Sequence, residues 1–119
     1  HVGWHELYSS MGQEKAFAFY GGQYGWTTAD QMDMGPMGTY RIFAAGGPHI
    51  GGMMDKPAEM PASAWSFYFV VKGIDAAVQR IEANGGKLMM GPHEVPGGDW
   101  IVQAIDPQGA HFALVSATR

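Results

Sequence analysis

The sequence repeats itself. Trp4 and Trp65 stand 61 residues apart, as do Gly25 and Gly86, while Gly47 and Gly109 stand 62 apart, as do His49 and His111. An offset this constant, running through apolar segment, helix stop and turn, makes the chain a two-fold repeat with a period of 61 to 62 residues. A unit of that size cannot bury a sheet face alone, so the two copies must cover one another or nearly so.

Each copy reads in the same order. Residues 2–8 alternate as a strand, and Ser10 with Gln13 forms a capping box for a helix that Gly25 ends in the left-handed conformation. Three β segments follow, around 26–34, 39–45 and 49–54, separated by Gly35-Pro36-Met37-Gly38 and Gly46-Gly47-Pro48. After a Pro-rich spacer at 56–62 the order recurs: a strand at 65–71, a helix at 75–84 with Ile74, Ala77, Val78 and Ile81 on one face, and Gly85-Gly86 as its stop. Strands at 87–94, 100–105 and 111–116 close the chain. The fold class is α+β: one domain over residues 1–119, built of βαβββ modules at 1–57 and 64–119. Two curved sheets, each backed by its helix, would leave a concave space for a ligand.

Composition narrows the chemistry. The chain has no Cys, so a thiolate nucleophile and a thiolate metal site are both excluded, and any metal would rest on His, Asp or Glu. Seven Lys and Arg against eleven Asp and Glu, without runs, argue against a nucleic-acid partner. The apolar runs fall short of the roughly 20 residues that span a bilayer, and no basic-then-apolar leader opens the sequence. No membrane partner and a cytoplasmic location are the default expectations.

Three motifs then carry a resemblance: Phe19-Tyr20 followed by Tyr24-Gly25-Trp26, Ala83-Asn84-Gly85-Gly86 at the end of the second helix, and Asp106-Pro107-Gln108-Gly109 before the last strand. With the doubled βαβββ order they make the chain similar to the vicinal oxygen chelate superfamily, which includes glyoxalase I, bleomycin-resistance proteins and extradiol dioxygenases. The start at Trp4 to Leu7 and the stretch from Gly46 to Met53 look like its small glyoxalase-like branch. The resemblance implies paired curved sheets, a cleft for a small molecule between the modules, and a homodimer. Metal-dependent members take one ligand from the first and one from the last strand of each repeat. Carried over, the first position falls on His5, fourteen residues before Phe19, the spacing of glyoxalase I. The others fall on Ser66 or Trp65, on Gly51 or Gly52, and on Ala113, none of which binds a metal tightly.

A divalent ion needs three or four converging N or O donors. The expectation is therefore no metal and no cofactor, the alternative being a divalent ion held by His5 with His49 and His111. His5 is the candidate general base, because imidazole as a side-chain type changes charge near neutrality. Glu6 alternates to the other face and reads as a hydrogen-bonded structural acid. Arg41 and Gln103 stand at matching places, 62 residues apart, and would hold a ligand if their strands turn them toward the cleft. Ser66, Tyr68 and His111 complete the candidate ligand-binding set. Trp4, Trp65, Phe67 and Phe69 read as core, and Met53, Met54, Met89 and Met90 as gap fillers.

Two small-molecule functions remain, beside a third reading in which the cleft is filled by the chain's own side chains and the protein acts only through protein contacts. One is a binding or sequestering protein that recognises a small organic molecule by burial and a few polar contacts. The other is a glyoxalase-like lyase or isomerase, possibly metal-dependent through His5, with Arg41 or Tyr68 holding a developing oxyanion. Whether the chain is an enzyme stays open at this level.

Overall fold

The computed structural model describes residues 1–119, which divide into two compact units: Trp4–Trp65, and His1–Gly3 with Ser66–Arg119. The first unit is built on β1 (Val2–Ser9), α1 (Gln13–Tyr24), β2 (Thr27–Asp33), β3 (Thr39–Ala44) and β4 (His49–Asp55), with a single 3-10 turn at Gly35–Met37. Its strands lie in the order β2-β3-β4-β1. The hairpin partners are antiparallel, whereas β1 and β4 run parallel because α1 and two further strands intervene between them. The second unit repeats the plan with β5 (Ala64–Val70), α2 (Ile74–Ala83), β6 (Lys87–Glu94), β7 (Trp100–Ile105) and β8 (His111–Ser116), in the order β5-β8-β7-β6. The α+β class and the doubled βαβββ order are thus as the sequence reads.

Each unit buries one sheet face under its helix. In the first, Leu7, Phe43 and Met53 pack against Ala16 of α1, with Trp26, Ile50 and Trp65 around them. In the second, Val102 and Leu114 pack against Ile74 and Ala77 of α2. Because strand side chains alternate, Leu7 on the α1 side puts Trp4, Glu6 and Tyr8 on the other. Trp4 is therefore not a core residue under the helix, and Phe67, Phe69 and Met89 are exposed.

The start of α1 also differs from the expected capping box. Its N-cap is Gly12, at φ 91°, where no side chain is available to cap. The N–H of Gln13 is instead taken by Asp55 Oδ1 at 2.8 Å, a carboxylate from the end of β4. At the other end Gly25 adopts the left-handed conformation, φ 72°, as the sequence requires.

Candidate functional site

Four side chains of the first unit converge on the sheet face away from α1. The indole N–H of Trp4 donates to the Tyr40 hydroxyl at 2.9 Å, and that hydroxyl donates to Glu6 Oε2 at 2.8 Å. The Tyr8 hydroxyl donates to the other carboxylate oxygen, Oε1. Glu6 is 8 % exposed, so a carboxylate stands within an aromatic wall, held by two phenols. Burial, then the neighbouring Glu6 charge, pushes the Tyr40 hydroxyl far above the ordinary tyrosine range, so it remains a donor.

The backbone makes room for this arrangement. Glu6 pairs in register with Gly52, and a Cβ on Gly52 would run into the Tyr40 ring. Glycine at this position lets the ring lie across β4 and reach the carboxylate. Next along β4, Met54 pairs with Tyr8 and shares its face. Met54 also lines a pocket of about 390 Å³ formed with Pro36 and Met37 of the 3-10 turn and Pro57 after the strand. Met54 is thus both the register partner of a network residue and a lining residue of the pocket.

The residues singled out from the sequence are distributed differently. His5 lies on the α1 side with Leu7, and its Nδ1 sits 2.8 Å from the Ile50 carbonyl. Arg41 is also on that side: its Nε donates to Gln13 at 2.5 Å, Nη1 to Thr28 at 2.6 Å, and its guanidinium covers the Phe17 ring at 5.0 Å. In the second unit Tyr68 and Gln103 both pair with Ala113, on the face away from α2, and the Gln103 amide donates to the Tyr68 hydroxyl at 2.9 Å. Ser66 shares the Tyr68 face by alternation, and His111 is exposed at the start of β8. So Tyr68 and Gln103 are brought together, while Arg41 and Gln103 occupy opposite kinds of face.

The mismatch has its origin in the turns. β3 and β7 correspond 61 apart, Ala44 with Ile105 and Ile42 with Gln103. The offset reaches 62 only across the β7–β8 turn, five residues (106–110) against four (45–48), before a one-residue bulge in β4 restores 61. In β4, Gly51 faces Phe43 but His49 faces Ala44, which leaves Ile50 without a register partner. Beyond the bulge the repeats match 61 apart in their last strands, Gly52 with Ala113, while the first strands match 62 apart, Glu6 with Tyr68. By the same register Gln103 corresponds to Ile42, not Arg41. Glu6 is the hydrogen-bonded acid that the sequence suggests, while Tyr8 and Tyr40 are the residues that sequence reasoning passed over. Their signal was the alternation of Trp4, Glu6 and Tyr8 opposite a strand glycine.

The donor set does not fit a tightly held divalent ion. Gly52 and Ala113, at the last-strand positions, carry no donor, and no three His, Asp or Glu side chains gather around a common point. No helix is long and apolar enough to cross a membrane.

The family profile described as Glyoxalase/Bleomycin resistance protein/Dioxygenase superfamily matches residues 5–114. CFP32 of Mycobacterium bovis, named as a glyoxylase, is 31% identical over 112 residues, covering 94% of this chain and 42% of its own length. The anthracycline biosynthesis protein DnrV of Streptomyces peucetius is 31% identical over 110 residues, covering 81% of this chain and 40% of its own. This chain thus spans less than half the length of the curated relatives it matches. Among solved structures, a hypothetical protein of Bacillus halodurans superposes with a TM-score of 0.74 at 13% identity, covering 98% of this chain and 93% of that one. Methylmalonyl-CoA epimerase of Mycobacterium tuberculosis gives 0.70 at 14%, covering 97% and 86%. At such identities the structural likeness speaks for the fold alone. With the profile spanning nearly the whole sequence, the chain belongs to the glyoxalase/bleomycin resistance protein/dioxygenase superfamily.

Proposed function

We propose that the chain binds a small organic molecule on the sheet face of the first unit away from α1, without a resident divalent metal. The observation that carries this reading is the Trp4–Tyr40–Glu6–Tyr8 network beside the pocket that shares Met54. Ligand sites are mostly apolar walls with a few oriented polar groups, and this face has that composition. Indole and phenol rings supply area with little entropy to lose, while the carboxylate and hydroxyls fix orientation. The metal-free part rests on the donor set described above. A relative named for anthracycline biosynthesis makes flat aromatic molecules the first class to screen.

A second reading is a glyoxalase-like lyase or isomerase, in keeping with the name of CFP32. Glu6 is a buried carboxylate and would accept a proton in such chemistry. One experiment separates the two. Flat aromatic compounds and glyoxalase-type thiohemiacetals are screened by thermal shift, and each hit is then incubated with catalytic protein and followed for product. A hit that raises the melting temperature, is recovered unchanged and is lost in Tyr40→Phe supports binding. Turnover abolished in Glu6→Gln would replace it with the enzymatic reading, and hits indifferent to both substitutions would remove the site from this face.

A further inference from the structure

Two hydrogen bonds decide where the Tyr40 proton goes. An indole N–H donates and cannot accept, so the 2.9 Å contact from Trp4 uses the Tyr40 oxygen as its acceptor. The single hydroxyl proton is then committed to Glu6 Oε2, 2.8 Å away. Tyr8 brings its own proton to the other carboxylate oxygen. Both phenols therefore donate to Glu6, and the carboxylate is the acceptor at the centre of the network. A carboxylate offers about four lone-pair sites, which two phenols do not exhaust.

From this ordering we infer that the face selects a flat ligand bearing a phenol-type hydroxyl, and that Trp4 sets the preference by fixing the direction of the Tyr40 proton. The inference rests on the binding reading above and names the ligand class for the same face. Trp4 acts through Tyr40 and is a positioning residue. While its N–H is in place, Tyr40 has no proton to give to an ether or carbonyl oxygen of a guest. A guest that only accepts then meets a carboxylate, lone pair against lone pair, whereas a hydroxyl donates to it. Beside the network the face is apolar: Met32 pairs with Tyr40 across β2 and β3, and Ile42 and Met54 share the face by alternation. These side chains give a flat ring a surface to lie on, and the thioethers adapt to its outline.

Naphthol and its methyl ether share one ring system and differ at the oxygen alone. Each is titrated into the full chain near neutral pH and followed by the NMR shifts it causes. The parent chain should bind naphthol about tenfold more tightly than the ether. Trp4→Phe keeps a ring but removes the N–H, which releases the Tyr40 proton to serve the ether oxygen. The preference should then fall below about threefold, because the ether gains. A packing role for Trp4 would weaken both probes alike, and that outcome overturns the inference. Should Trp4→Phe misfold, benzothienylalanine in place of Trp4, with sulfur replacing the indole N–H in the same outline, reads the same change. Equal affinity for naphthol and ether in the parent chain, or a preference that the replacement leaves intact, also overturns it. If both probes bind with Tyr40 dependence and no preference, the ligand class falls while the binding site stands; if neither binds, both fall.

Discussion

The ring of Tyr40 occupies the space that a side chain on Gly52 would need, and the Tyr40 hydroxyl, so placed, donates to Glu6. Glycine at this position is thus part of the site's construction. Gly52→Ala should displace the ring and break the Trp4–Tyr40–Glu6 connection at once. Overpacking of this kind costs about 1–3 kcal/mol, and the loss of two buried hydrogen bonds adds to it. Urea unfolding should show the drop, and ligand affinity should fall in the same variant under conditions where it remains folded.

Tyr40 also sets an alkaline limit. Its folded pKa lies well above the ordinary value of 10.0, through burial first and the Glu6 charge second. A raised folded value means that the unfolded chain gives up this proton first, so the contribution is full below about pH 10 and is lost as pH rises beyond it. Stability should therefore decline above that pH, and more gently in Tyr40→Phe than in the parent chain. Thermal melts from pH 8 to 11 check the slope. Equal slopes would mean that Tyr40 ionises freely in the folded protein.

How far this was legible in the sequence depends on the kind of feature. Strand alternation, the stops at Gly25 and Gly85-Gly86, and the internal repeat are local or periodic, and the elements they define appear in the structure within a residue or two. A bulge is neither. The bulge at Ile50 shifts only β4 against β8. Arg41 is detached from Gln103 because the turn after β7 is one residue longer than the turn after β3, so an offset of 62 taken from the turns does not hold for the strands before them. The facing of β1 turned on Leu7. Assigning His5 to the ligand cleft conflicts with Leu7, which shares its face and is the one β1 side chain in the core beneath α1. Once Leu7 is fixed there, Trp4, Glu6 and Tyr8 follow to the other side without further information.

The turn before β8 makes an acid-side prediction. Asp106 accepts the backbone N–H of Ala110 at 2.9 Å and of Gln108 at 3.0 Å, and these bonds, the Ala110 bond foremost, hold its carboxyl below the ordinary value of 3.8. A depressed folded pKa contributes stability that is present above the unfolded value and is lost as pH falls through the folded one. The melting temperature of the parent chain should therefore fall below about pH 4, and part of that fall should disappear in Asp106→Asn. Melts between pH 2 and 6 test it; parallel curves for the two proteins would show that the turn does not sense protonation.

His5 separates a structural imidazole from a catalytic one. Its Nδ1 meets the carbonyl of Ile50, the residue that the bulge leaves without a partner across β3. That contact makes His5 a brace for the bulge on the α1 side. His5→Ala should then cost about 0.5–1.5 kcal/mol of stability, the usual net worth of one intramolecular hydrogen bond. His5→Asn, which keeps a short donor, should recover some of it. Ligand affinity, carried by the opposite face through Tyr40 and Glu6, should change less than about twofold in either variant. Chemical denaturation and calorimetry on the same samples give both numbers. Loss of binding with stability intact would put the imidazole on the ligand and return His5 to the candidate ligand-binding set read from the sequence.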